Sequence, residues 1–341
     1  MIERFSSQVA FVRPATADLQ PATCNLQPGK SHPLTLTVAC VLAALFLACG
    51  ERTAPAATLT LQPAADTTLI ETEPDNNLGS APFFNAGVTQ NFTKNHALLR
   101  FDPARQIPAG SQITRADLIL EVTHIPRDGF APADFGLHRL LVSWGEGNKT
   151  AEDPSHPGLG APATVGEATW EDRFARTTNH WIAPGAAPTN DYCTAISSQQ
   201  TIYDIGNSPY VFESTPALVA DVQSWLDDPQ TNFGWLLKTL SEEENFTARR
   251  FASREDTSRA PLLVIEFVPS LRIVQPEASG GQFHFHFATQ AGQAYQVEYR
   301  NAFSNNGWLP LTNIPSAALS GEALVVDSLS EAHRFYRIVA P

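Results

Sequence analysis

The sequence is short of what long helices are made from. It holds a single methionine, while 26 prolines and 20 glycines interrupt it, a composition that points to many short elements joined by turns. Positive charge is also scarce: 22 Lys and Arg stand against 35 Asp and Glu, for a formal net charge of -13 at pH 7. That argues against general nucleic-acid binding, which needs a basic surface to release counterions. No CxxC or HExxH spacing occurs, so no strong zinc site is offered. Neither a G-x-S-x-G elbow nor a serine-histidine-acid set in recognisable context is present to carry nucleophilic catalysis. Carboxylates are too numerous for any pair to stand out as acid and base. What is there is apolar bulk: 43% of the 341 residues are hydrophobic and 17% charged, enough for two domains with a sizeable core.

The first fifty residues read as a targeting segment. Lys30 precedes an apolar run from about Leu34 to Ala48, too short and too close to small residues for a membrane span. Phe46-Leu47-Ala48-Cys49-Gly50 resembles a bacterial lipoprotein box, in which the cysteine, here Cys49, is lipidated and becomes the mature N-terminus. Phe46 stands where leucine is usual and Leu47 where a smaller residue is common. Lipidation or simple cleavage with free secretion both mean export, to the extracellular space or the bacterial cell surface, with any membrane contact made through the N-terminal lipid. Residues 1–29 carry a tandem, PATADLQ then PATCNLQ, without packing logic, which a start codon placed too far upstream explains. Cys24 and Cys40 precede the cleavage point and Cys49 would hold lipid, leaving Cys193 alone and no intrachain disulfide framework.

After a linker at 50–58, strand-like runs recur between turn clusters: DTTLIET, ALLRFD, ADLILEVTHI and FGLHRLLVSW. Leu118, Leu120 and Val122 alternate with Asp117, Ile119 and Glu121, the period of two expected of an antiparallel β-sandwich. Between Trp144 and Tyr210 the period dissolves into a long segment rich in Gly, Pro, Asn and Thr, which is functional, ordered by its tryptophans, or disordered. One helix is predicted in TPALVADVQSWLDDP, with Thr215 as N-cap, Pro216 at the first position and Pro229 after the stop. Residues 271–341 add five short alternating runs, among them QFHFHFAT and AYQVEYR.

The pieces DTTLIETEPDNNLGS, LLRFDPARQIPAGSQITRADLIL, LHRLLVSWGEG, GEATWEDRF, HWIAPGA, DVQSWL, NFGWLLK and FASRE...RAPLLVIEF stand in an order that resembles the DNRLRE domain family. That family is also described as carbohydrate-binding module family 96 and is linked to disaggregatase-related repeats. The resemblance spans roughly 59–268 and implies a jelly-roll β-sandwich of an extracellular bacterial protein, some relatives binding acidic polysaccharides such as alginate. Two departures stand out: GAAPTNDY displaces Asp191 from Gly185, and Cys193 is unexpected. The unit 271–341 looks like an accessory β-domain common on exported bacterial proteins. The expected fold class is therefore all-β: a jelly-roll-like antiparallel β-sandwich followed by a small immunoglobulin- or fibronectin-like sandwich.

Candidate contacts follow from charge and aromatic character. In Ala97-Leu98-Leu99-Arg100-Phe101 alternation places Arg100 and Leu98 opposite the core side chains. Arg100 either pairs with a carboxylate such as Glu255 or Asp102, or offers its fork to a glycan carboxylate. Arg249, Arg250, Arg254 and Arg259 cluster within ARRFASREDTSRA. Arg250 and Arg254 are expected to share a face, with Lys238 near them, as a basic patch for a polyuronate or as solvated edge charges. Trp225 and Trp235 read as core. Trp144, Trp170 and Trp181 border the long segment as loop anchors or as platforms for sugar C–H faces. No metal or cofactor is expected; Asp75, Asn76, Asn77, Glu146, Glu152 and Asp153 offer oxygens to calcium, yet turn chemistry alone accounts for them. His284 and His286 face away from Phe283, Phe285 and Phe287, as an ordinary solvated face. The function expected is non-enzymatic binding of an extracellular polysaccharide, an acidic glycan such as alginate or another polyuronate. A structural or adhesive surface protein is the alternative, and a polysaccharide lyase or hydrolase the third.

Overall fold

An alternating strand must lay its apolar face on a second layer, and the computed structural model shows which layers meet. It describes residues 5–12, 56–302, 307–319, 321–328 and 333–340. They divide into a unit Ala56–Ser270 and a unit from Leu271 onward that takes in Phe5–Val12. The architecture is all-β, with antiparallel sheets in both units.

In the larger unit the neighbours along one sheet run Tyr192–Ile202, Ala133–Leu140, Trp235–Thr239, Lys94–Arg100, Phe83–Val88, Arg249–Ala252 and Val122–His124. Ala65–Ile70 also pairs along Lys94–Arg100. The facing sheet runs Tyr210–Phe212, Gln112–Leu120, Leu262–Val268 and Ala57–Leu61. Between them lie Leu99, Phe101, Leu118, Phe135, Trp235 and Ile265. The helix α1, Pro216–Asp227, begins at Thr215, whose hydroxyl accepts from the Leu218 N–H at 3.0 Å. Its Leu218, Val222, Trp225 and Leu226 are buried, with the Trp225 ring 4.5 Å from that of Trp235.

The aperiodic segment after Trp144 is ordered, and the reason lies in the strands. Leu69, Leu98, Leu140 and Leu236 point away from the main core, so the larger sheet is apolar on both faces and needs a second cover. Trp144, Trp170, Trp181 and Tyr192 supply it, forming a second core with those leucines. The indole N–H of Trp144 donates to the Phe233 carbonyl at 2.8 Å and that of Trp181 to the Thr169 carbonyl at 2.9 Å. Gly185 lies against Trp170 so closely that a Cβ would stand 2.5 Å from the ring, at a φ of +79°. Of the two roles open to these tryptophans, the burial leaves loop anchoring; their faces are not free to stack on sugars.

Asn77 ties the cover to the sheet. Fully buried, its amide donates to the carbonyls of Glu146 and Ala168 at 2.8 and 2.9 Å, and its oxygen accepts from the Gly79 and Lys149 N–H groups. The side chain once offered to calcium is thus spent on backbone. Asn77→Ala leaves two buried carbonyls unpaired and is expected to cost about 2–3 kcal/mol. Urea denaturation and protease cleavage within 144–192 check it; an unchanged midpoint together with unchanged cleavage would refute the role.

In the C-terminal unit Val274–Ser279, Gln282–Thr289 and Gly321–Ser328 form one sheet, and Phe5–Val12, Arg334–Ala340, Tyr295–Arg300 and Leu309–Ile314 the other. Phe5–Val12, within the stretch read from sequence as an N-terminal extension, pairs along Arg334–Ala340. Phe283, Phe285 and Phe287 are buried, with Tyr336 beside the first two. His284 and His286 lie on the opposite face, half-buried, with His286 3.6 Å from Glu322. Cys49 and the apolar run 34–48 lie outside the described residues. Among the described residues no helix is long and apolar enough to cross a membrane.

Candidate functional site

The six cationic side chains singled out by sequence part company once the strands are in register, Arg259 pairing with Asp256 at 2.7 Å. Lys238 does not reach Arg250, because Lys94–Arg100 and Phe83–Val88 lie between their strands. It meets Glu242 at 2.5 Å instead and stands 5.8 Å from the centre of the Tyr192 ring. Glu242 also receives His96 Nε2 at 2.6 Å. Burial alone would raise the Glu242 pKa, but His96 and Lys238 hold it down to about 2.

Arg100 takes neither expected carboxylate. Asp102 is bound to Arg105 at 2.7 Å and Glu255 to Arg254 at 3.0 Å. The Arg100 guanidinium lies 5.8 Å over the Trp144 ring instead, a cation-π contact at the margin of the second core. Two residues further on, Glu146 grips Arg254 through contacts of 2.5 and 3.1 Å. Arg100 and Arg254 therefore hold the start of the covering segment to the sheet, and Arg254 has its charge matched. Behind this pair Asp66 accepts the Arg254 N–H at 2.8 Å, while its own N–H donates to Glu146 at 2.9 Å. Burial pushes the Asp66 carboxyl up to about 8, with Glu255 and Glu146 adding to the effect.

Arg249 and Arg250 are neighbours in the chain and opposites in role, since successive strand side chains face opposite ways. Arg249 turns inward, fully buried, and donates six hydrogen bonds to backbone carbonyls. Arg250 turns outward and stays half-buried. Its guanidinium lies 3.8 Å from the centre of the Phe83 ring. Its one hydrogen bond among the described residues is from Nε to Asn85 Oδ1 at 3.4 Å, long for an N–H···O contact. Among the described residues no carboxylate compensates it: burial alone lowers its pKa.

The register places Asn85 opposite Arg250 on one side and His124 on the other. Amide, guanidinium and imidazole thus form one row across three strands, a donor set suited to an anion. Burial lowers the His124 pKa, and the nearby Arg250 and Arg127 lower it further. The covering segment passes alongside at Gly158, where a Cβ would stand 3.5 Å from Arg250 Nη2 and 3.4 Å from Asn85 Nδ2. Sequence reasoning missed Asn85 and His124. His124 sits in the strand-like run ADLILEVTHI and Asn85 in the strand Phe83–Val88, but only pairing brings positions 85, 124 and 250 side by side.

The same segment borders a groove. Asn76–Asn77 pairs with Ala161–Pro162, and beside that ladder is a cavity of about 540 Å3 lined by Glu73, Pro74, Asp75, Asn76, Pro162, Ala163, Thr169, Asp172, Ala175 and Arg176. Its size falls within the roughly 300–1,000 Å3 of small-ligand pockets. Asp172 is hydrogen-bonded to His180, and Asp153 is spent on Ser155 and His156. Among the described residues no set of three or more His, Cys, Asp or Glu is arranged to hold a metal ion.

No protein-family model matches the chain, and no curated protein matches it.

Proposed function

We propose that the chain is an exported, non-catalytic polysaccharide-binding protein of the DNRLRE type, taking acidic glycans such as alginate or other polyuronates on the Asn85, Arg250 and His124 row. The observation that carries this reading is Arg250: a half-buried cation stacked on Phe83 with no carboxylate among the described residues to neutralise it. Half-burying a charge without a counterion costs free energy, and a uronate carboxylate would restore the balance through a bidentate contact. Arg100 and Arg254 serve the fold, and Lys238 serves the His96 and Glu242 network.

Affinity electrophoresis in gels containing alginate or pectin, with and without calcium, tests it. Wild type is expected to be retarded, and Arg250→Ala to lose about tenfold or more in affinity, the worth of a charge-assisted hydrogen bond. Arg250→Lys should recover only part, lacking the fork. Retardation should also strengthen as pH falls below 6.5, the ordinary histidine value, because a charged His124 adds a second cation while uronates stay ionised. His124→Asn should remove that increment. No retardation by any acidic polymer would sink the proposal and leave a structural or adhesive surface role, to be sought in pull-downs.

A further inference from the structure

We infer, resting on the function just proposed, that Gly158 determines what the site admits: the ligand's carboxylate enters beside it, between the covering segment and the sheet, through room that any side chain at 158 would take. Asn85 is only 9% exposed. Its Oδ1 accepts from Arg250 Nε, which orients the amide and leaves Nδ2 as a donor. Among the described residues Nδ2 makes no hydrogen bond, and neither do Arg250 Nη1 and Nη2. An amide this buried without an acceptor costs free energy, as the half-buried guanidinium does. One acceptor group set before both relieves both.

Gly158 stands where the two donors meet. A side chain there would project toward them, its Cβ 3.4 Å from Asn85 Nδ2 and 3.5 Å from Arg250 Nη2, with no other heavy atom of the described residues within 4 Å beyond its chain neighbours. Backbone conformation does not call for glycine, since the φ of Gly158 lies outside the left-handed region. Close packing does not call for it either, because those two distances are ordinary van der Waals contacts for a Cβ. What the missing side chain provides is open space in front of two unspent donors. The turn that carries it is held in place: the Leu159 carbonyl accepts from Asn76 Nδ2 at 2.8 Å and the Gly160 carbonyl from the Glu152 N–H at 3.3 Å. An aspartate at this position would carry its oxygens onward from Cβ toward both donors, and so stand in for the ligand.

Gly158→Asp therefore supplies the ligand's own group from within the chain, and Gly158→Asn, equal in shape without the charge, controls for size. Thermal midpoints at pH 7 are expected to place the aspartate variant above the asparagine variant by about 3 °C or more, the worth of a charge-assisted pair. That difference is expected to vanish in the Arg250→Ala background. In alginate gels Gly158→Asp is expected to lose about tenfold or more in affinity, as Arg250→Ala does, because its site is already filled. Gly158→Ala should keep the wild-type midpoint and lose part of the retardation. An aspartate variant no more stable than the asparagine one, or a gain that survives Arg250→Ala, overturns the seat at Gly158, while loss of retardation in Arg250→Ala still upholds the glycan reading. Undiminished retardation of Gly158→Asp and Gly158→Ala overturns the seat as well. No retardation of wild type by any acidic polymer sinks the glycan reading and the role of Gly158 with it, even where the introduced carboxylate stabilises through Arg250.

Discussion

Replacing Arg249 by methionine is expected to cost the larger unit about 5 kcal/mol, enough to unfold a domain of ordinary stability. Arg249 is 1% exposed, and its guanidinium gathers carbonyls from three separated pieces of chain: Ala131, then Ile202 and Tyr203, then Phe246, Thr247 and Ala248. The Phe130 ring lies 5.0 Å beneath it. Methionine fills similar space but donates nothing, leaving several buried acceptors unpaired at about 1–3 kcal/mol each, partly relieved by relaxation. Burial lowers the Arg249 pKa to about 10, so the side chain stays charged at neutral pH and the carbonyl dipoles stand in for a counterion. Arg249→Lys keeps the charge with at most three donors and should recover less than half of the loss. Urea denaturation of wild type and both variants measures this, and a methionine variant within about 1 kcal/mol of wild type would refute the cage.

Much of this fold was legible in the sequence. The period of two at Leu118, Leu120 and Val122, the cap at Thr215 with Pro216, and the apolar placement of Trp225 and Trp235 all reflect local rules, and each is met in the structure. The second core was legible only in part. Leu98 and Leu236 face away from the first core, a signal that the larger sheet is covered twice, but the covering segment has no period because its side chains anchor singly. The arginine pair shows the limit. Alternation requires Arg249 and Arg250 to part, yet which one turns inward depends on carbonyls more than forty residues away and on the edge position of Val122–His124. Lys238 was misplaced beside Arg250 for the same reason: neighbours in sequence order need not be neighbours in a sheet whose strands cross over.

Stability should fall as pH rises from about 4 to 8, contrary to the plateau of many proteins, and Asp66 is the main cause. Burial, with Glu255 and Glu146 close by, pushes its folded-state pKa up to about 8 from an ordinary 3.8. Between those values the folded protein keeps a proton that the unfolded chain has released, so unfolding free energy drops with pH across the window and levels off above it. Each unit is worth up to about 1.4 kcal/mol, and a total fall of a few kcal/mol is expected. Burial also raises the pKa of Glu146 and of Asp221, adding slope of the same sign. Glu242 acts oppositely: held down to about 2 from 4.5, it stabilises above its ordinary value and is lost as pH falls toward 2. Burial also lowers the pKa of His124 and His138, so their charging destabilises the folded state below the ordinary 6.5 and offsets part of the Asp66 slope there; the fall is steepest between about 6.5 and 8. Asp66→Asn cannot ionise, yet its side-chain oxygen can still accept the Arg254 N–H, so the variant should lose at least half of the fall and exceed wild type at pH 8. Thermal midpoints of both proteins across pH 4–9 test this; a wild-type midpoint that is flat or rising, or a variant that keeps the full slope, would show that the proton is not held at Asp66.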